Sequence, residues 1–292
     1  MTCLRRLSFI VGKIFLISHS SFLIPNCFSL IYIQKLPFDV KIVINSFLTA
    51  LTFLSVIPVP KKFFDFINDD SEQNLKYFCI MIPVTGILFA AFWLLFSSGL
   101  GLMENFSPVL RGFLMTFLTL ALSGGLHMDG LMDTCDAVFS RRDRETRLKI
   151  LSDTHAGSFA VMACVLALGA KTFLFAEIFS HLSKINALIP IYSRLGTAMI
   201  LNNIKFAKPG GLAFLMGKYR GRRDNFSLAL IFTALLFFDG SIIIPVIFIF
   251  SLIVWIKLCL NIFGGITGDL LGAYIEISEI LFLIGTVIEN CI

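Results

Sequence analysis

Apolar residues come in unbroken blocks along this chain, parted by short polar segments, with no two-residue alternation inside the blocks. The blocks are close to the ~20 residues that carry a helix across a hydrocarbon core. Continuous runs of this kind, rather than alternating ten-residue segments, argue against a membrane barrel. The pattern predicts helices over about 40–57, 77–98, 109–126, 159–179, 185–204, 226–238, 242–260 and 270–288. Proline breaks mark their ends, as at Pro58-Val59-Pro60. The run at 226–238 is short for a full crossing, so with 242–260 it reads equally as a re-entrant hairpin.

Composition agrees with that pattern. Of 292 residues, 57% are hydrophobic and 15% charged, and the mean hydropathy is +0.88, whereas soluble domains carry roughly 25% charged residues. The fold class expected is therefore all-α: a polytopic integral membrane bundle of about seven to nine transmembrane helices. Residues 40–292 read as one membrane-embedded domain, and residues 1–39 as an N-terminal extension. In that extension Arg5 and Arg6 precede an apolar run broken by Lys13, His19 and Pro25. It reads as an extra spanning helix, a signal-like segment, or sequence from an upstream start. The seven cysteines are dispersed and show neither zinc spacing nor a disulfide framework.

The net charge of +5 matters less than its placement. Strict alternation puts 61–76, 127–158, 205–225 and 261–269 on one side, and those loops hold most of the Lys and Arg. The turns on the other side hold only Lys184. The positive-inside rule then makes the basic side cytoplasmic, with the chain multi-pass in the cell membrane. Nothing in the charge pattern points to nucleic acid.

The candidate chemistry gathers in those same loops. Gly124-Gly-Leu-His-Met-Asp-Gly-Leu-Met-Asp-Thr-Cys-Asp136 carries Asp129, Asp133 and Asp136 at spacings of four and three. On a helix they fall within roughly 60° of one another. Such a stripe is either a solvated acidic face or a platform for Mg²⁺, which suits carboxylate oxygens and takes further oxygens from a substrate phosphate. Gly124, Gly125 and Gly130 clear space for a phosphate near the backbone, His127 adds a titratable group, and Asp153 returns in the same loop. Arg141, Arg142, Arg144 and Arg147 read as phosphate contacts or as a solvated charge run. Lys171 and Arg194 lie inside apolar helices, where a charge faces a cavity or a partner. Asp269, Glu276 and Glu279 form a second acidic stripe after the glycine-rich turn that contains Gly265. The basic segment from Lys205 to Arg223 suits anionic lipid headgroups or an anionic substrate.

The 124–136 motif resembles the signature of the cobalamin synthase family, the adenosylcobinamide-GDP ribazoletransferases. Arg147-Leu-Lys-Ile-Leu-Ser-Asp-Thr-His-Ala-Gly-Ser-Phe159, Tyr192-Ser-Arg-Leu-Gly196, Lys208-Pro-Gly-Gly-Leu212 and Gly264-Gly-Ile-Thr-Gly-Asp-Leu-Leu-Gly-Ala-Tyr-Ile-Glu276 follow in the family's order. The resemblance spans about 46–290. It departs at Ser152, where a basic residue is usual, and at His155, where an Arg is usual. What it implies is a Mg²⁺-dependent late step of cobalamin biosynthesis. Adenosylcobinamide-GDP would be joined to α-ribazole or its 5′-phosphate, and GMP would leave. The resemblance then implies metal and diphosphate binding by Asp129, Asp133 and Asp136, and proton removal by His127 or Asp153. Gly124, Gly125, Arg147, Lys171, Arg194 and Gly265 would contact substrate. Asp269 and Glu276 would hold a second metal or the lower-ligand nucleoside. A homo-oligomer, or association with other cobalamin-assembly enzymes, stays open.

Two rivals remain at this point. A CDP-alcohol phosphotransferase uses spaced aspartates at the same membrane face, but its signature needs two further aspartates four apart. A secondary transporter would explain Lys171 and Arg194, yet the motifs gather at one face rather than at the bilayer midplane.

Overall fold

A computed structural model describes residues 38–59, 76–103, 105–179, 188–210, 212–217, 220–240 and 242–291. The N-terminal extension, but for its last two residues, and most of the 61–76 loop lie outside them. Among the described residues there are eleven α-helices and no strand longer than a single bridge. In chain order they are α1 Phe38–Leu54, α2 Phe78–Gly101, α3 Pro108–Ser123, α4 Leu126–Phe139, α5 Arg144–Ile150, α6 Ser158–Ile178, α7 Ile189–Asn203, α8 Leu212–Met216, α9 Arg222–Asp239, α10 Ile243–Leu258 and α11 Gly268–Cys291. A π-helical turn, Cys259–Phe263, prolongs α10.

Four segments are each long and apolar enough to cross a membrane: α2, α6, α10 with its π-turn, and α11. A fifth arises if α3 and α4 are taken together, since the pair passes the same test but bends by 91°. The large apolar side chains left exposed support a lipid-facing exterior; Leu95 on α2 and Leu166 on α6 are 72% and 71% exposed. The sequence pattern placed a single helix over 109–126 that delivers the acidic motif at its end, and a hairpin candidate at 226–260. The structure puts the sharp bend earlier, between α3 and α4. It also starts α9 at Arg222, four residues before its apolar run, so that α9 has 18 residues.

The bend has a local cause. Ser107 caps α3, its side chain accepting from the Leu110 amide, and Pro108 occupies the first turn. At the other end Gly124 and Gly125 both have positive φ, 61° and 76°, a conformation that residues with a β-carbon rarely adopt. Gly124 also lies against the Val56 side chain. Two left-handed residues in succession stop α3 and turn the chain into α4.

Helix α7 runs through the middle of the bundle: every residue from Tyr192 to Ala198 is buried. It packs on α2 and on α11, and α11 in turn packs on α4, α6 and α10. Glycine sets the closest of these approaches. A β-carbon at Gly130 of α4 would stand 2.6 Å from the Asp269 carbonyl, and one at Gly272 of α11 would stand 3.2 Å from the His127 Cα. The acidic helix therefore lies backbone to backbone against the first turns of α11.

Three helices are tied together by buried charge. The Lys171 ammonium of α6 donates to Glu276 at 2.6 Å and to Glu279 at 2.7 Å, both on α11, and Arg194 of α7 pairs with Glu279. All four side chains are at most 4% exposed. Two cations and two carboxylates leave the interior neutral, which a charge inside a bilayer requires. Arg194 also stacks over the Phe89 ring of α2, 4.1 Å from its centroid. Lys171→Met strands a negative charge and should destabilise the detergent-purified chain by about 3–5 kcal/mol. Lys171→Met with Glu276→Gln restores neutrality and should recover more than half of that loss in thermal unfolding. Equal losses in the single and double variants would show that charge balance does not govern the network.

Candidate active site

The acidic helix brings its three aspartates to different surroundings. Asp136 turns toward α6: its carboxylate accepts from the amides of Gly157, at 2.6 Å, and Ala160, at 2.9 Å. Helix α6 starts at a glycine with no side chain to cap it, so Asp136 supplies the missing acceptor and a negative charge at the positive end of the helix. Asp129 is exposed and Asp133 half-buried. Asp133 makes no hydrogen bond or ion pair among the described residues. The charges of Asp129, Asp269, Asp136 and Asp153 all bear on it.

These carboxylates come from three segments: α4, the loop between α5 and α6, and the first turn of α11. Asp269 arrives through a chain of backbone contacts. Gly264 takes φ 71° after the π-turn, Gly265 packs against the backbone of Lys205 and Ala207, and Ile266 pairs with Phe206 in a parallel bridge. The bridge uses Ile266 N–H to Lys205 O and Ala207 N–H to Ile266 O, both 2.9 Å. Arg144, at the start of α5, donates to Ala207 O at 3.4 Å and lies against Gly264. The three basic or glycine-rich loops predicted to share one side therefore do touch one another.

Lys208 is the cation closest in function to this cluster. Its ammonium donates to the Ser152 hydroxyl, and its charge acts on Asp269. In the same loop Asp153 accepts from His155, by the backbone amide at 3.0 Å and by the ring Nδ1 at 2.7 Å. The hydrogen bonds from the His155 side chain and then its backbone hold the Asp153 carboxyl below the usual carboxylate range. Asp153 thus stays ionised throughout neutral pH.

Other predicted site residues lie elsewhere. Lys171, Arg194 and Glu276 belong to the buried ion pairs, with Glu276 roughly 10 Å along the helix axis from Asp269. Their charges meet partners within the chain, and the second acidic stripe divides into Asp269 at the face and Glu276 with Glu279 in the interior. His127 is buried between these two levels; its Nε2 has no hydrogen-bond partner among the described residues. Gly124 and Gly125 form the α3–α4 turn. Arg147, on α5, is partly buried, with its Nε unpartnered.

Among the described residues no three His, Cys, Asp or Glu side chains close into a metal cage, and Asp136 is held by α6. Mg²⁺ commonly uses only one or two carboxylates with substrate phosphate and water. Asp129 and Asp133 provide such hard oxygen donors, and the negative charge crowded around Asp133 favours a cation. The donor set fits.

Sequence reasoning missed two features. The cap formed by Asp136 was signalled by Gly157, a helix start without a capping side chain. Lys208 was read in a basic run and in the Lys208–Leu212 segment without a site role, and the fold brings it beside Ser152, 56 residues away in sequence, with its charge acting on Asp269.

The profile of the cobalamin-5-phosphate synthase family matches residues 46–287. An adenosylcobinamide-GDP ribazoletransferase of Geobacillus sp. (strain WCH70) is 33% identical over 243 residues, 80% of this chain and 91% of that protein. Proteins of the same name from Halalkalibacterium halodurans and Clostridium botulinum (strain Langeland) are 31% and 32% identical, over 83% and 84% of this chain and 94% and 98% of their own length. No solved structure matches the chain.

The division of labour along α4 has a measurable consequence. Asp136→Ala uncaps α6 and should cost about 1–2 kcal/mol of stability. Asp133→Asn removes a carboxylate from a repulsive cluster and should leave the thermal midpoint unchanged or raise it. Thermal unfolding in detergent compares the two; a larger loss for the Asp133 variant would reverse the assignment.

Proposed function

Because the chain belongs to the cobalamin-5-phosphate synthase family, as its match over residues 46–287 establishes, we propose that it joins adenosylcobinamide-GDP to α-ribazole, or to its 5′-phosphate, and releases GMP. The observation that carries this reading is the cluster around Asp133, where carboxylates from three segments meet at one face of a membrane bundle. A neutral-substrate transporter has no use for such a concentration of charge, whereas a diphosphate bound with a cation does.

Asp129 and Asp133 would hold Mg²⁺ in this scheme. When bound, the ion supplies charge neutralisation for a diphosphate and its departing phosphate. The chain's own residues do the positioning. A ribose hydroxyl oxygen of the acceptor attacks the phosphorus that bears the cobinamide, the bond to the GMP phosphate breaks, and GMP leaves with the bridging oxygen. Asp153 stands at the open loop and takes the hydroxyl proton; His155 orients it. His127, enclosed between α4 and α11, supports the helix contact rather than meeting substrate. Arg144, held against the bridged loop, offers positive charge to the nucleotide phosphates. The reading places this face on the cytoplasmic side of the cell membrane, supported by the basic residues gathered there.

Membranes containing the full chain should convert adenosylcobinamide-GDP and α-ribazole to cobalamin and GMP when Mg²⁺ is present. A chelator should stop turnover and added Mg²⁺ restore it. No product, under conditions where a relative from Geobacillus works, would refute the proposal. Asp133→Asn should lower kcat by ~10²-fold or more, as loss of electrostatic groups at a transition state does. Asp153→Asn should lower it by ~10²–10⁴-fold, the usual worth of a general base. Wild-type turnover in either variant would remove that residue from the scheme.

A further inference from the structure

Beside the carboxylate cluster lies a cleft of about 330 Å³ between α1, the loop bridged to α11, α8 and the first turn of α11. Its size falls at the lower end of the ~300–1,000 Å³ typical of small-molecule sites. Phe53, Phe206 and Phe214 line it, all three half-buried, so ring surface is open to the cleft. Their orientations are fixed by other rings: Phe206 and Phe214 meet edge to face at 5.3 Å, and Phe53 meets Phe78 in the same way at 5.7 Å. The polar lining is confined largely to Lys208, Thr267 and Asp269. Asp269 also belongs to the acidic cluster, so the aromatic cleft and the proposed reaction centre share that carboxylate.

We propose that this cleft binds the benzimidazole base of the acceptor nucleoside and directs its ribose toward Asp269 and the carboxylate cluster. The proposal rests on the reading above and assigns a place to one of its two substrates. Three candidate groups differ in chemistry. A corrin ring with its amide side chains is far larger than the cleft. Guanine carries a carbonyl, a ring N–H and an amino group along one edge, and the acceptor they would need in this cleft, Asp269, already accepts from Thr267 and belongs to the carboxylate cluster, so the rest of that edge would lie against phenyl rings. A benzimidazole is planar and apolar, and its base offers one free ring nitrogen as acceptor. The Lys208 ammonium, with donors beyond the one it gives Ser152, can meet that nitrogen while the rings stack on the apolar faces. Phe53, Phe206 and Phe214 are thus specificity-determining residues for the lower-ligand base.

The test uses the full chain purified in detergent. Binding of radiolabelled α-ribazole is measured by equilibrium dialysis without the second substrate, and KM for each substrate is measured in turnover. Phe53→Ala removes one aromatic wall; Ala213→Phe fills the cleft from a buried position on its lining; Phe53→Leu keeps apolar bulk without the ring. Loss of stacking in the first variant and obstruction of the cleft in the second should each raise the α-ribazole dissociation constant about tenfold or more, with a smaller rise in the third, while KM for adenosylcobinamide-GDP stays within about twofold. Unchanged α-ribazole binding in both Phe53→Ala and Ala213→Phe would overturn the proposal, and so would a rise confined to the KM of adenosylcobinamide-GDP, which would give the cleft to guanine. Wild-type protein that binds α-ribazole through these residues yet makes no cobalamin would refute the proposed reaction and leave the cleft assignment standing. Turnover by the wild type with both variants unaffected would overturn the cleft assignment alone.

Discussion

A charge carried into a bilayer has to be neutralised there, and in this chain two cations and two carboxylates neutralise one another. Lys171, Arg194, Glu276 and Glu279 are contributed by α6, α7 and α11, so the requirement for neutrality fixes the relation of those three helices. Everything at the polar face follows from that relation. Asp269 lies in the first turn of α11, α6 begins where Asp136 receives its amides, and α4 packs on both, approaching α11 most closely at Gly130 and Gly272. The deep ion pairs hold the frame, and the frame holds the carboxylates.

The two levels of charge behave in opposite ways. In the interior Lys171, Arg194, Glu276 and Glu279 each meet an opposite charge within hydrogen-bond distance. At the face, Asp133 stands among like charges, with Lys208 acting on Asp269 and no ion pair to Asp133 itself among the described residues. A neutral interior is what a membrane fold demands. An acidic surplus at its edge suits the proposed reaction, in which charge arriving with substrate and ion would complete the balance. His127 lies at the boundary, buried against α11, and separates the two levels.

Much of this was legible in the sequence. Block length gave the all-helical membrane bundle, and the spacing of Asp129, Asp133 and Asp136 placed them on one helix, as found. The bend between α3 and α4 was not read, although Gly124-Gly125 stood in plain view, because a glycine pair serves equally for phosphate approach, helix packing or a left-handed turn. Lys171 and Arg194 were expected to face a cavity or a partner, and their partners, 105 and 85 residues away on α11, could not be named from the sequence. Periodicity reports which residues share a face, not which faces meet. The same limit hid the cleft, whose three phenylalanines belong to α1, the loop after α7 and α8 and look like any others in a chain with 32 of them.

Helix α6 stands with one side in lipid and the other in the protein. Val161, Met162, Val165, Leu166 and Phe173 point outward, while its first amides grip Asp136 and Lys171 reaches inward to α11. A shift or tilt of α6 in response to the thickness of its membrane would therefore be transmitted at both ends of the chemistry, through a carboxylate at the top and an ion pair below. The thickness of the bilayer thus belongs among the conditions that bear on the geometry of this helix and of the groups it holds.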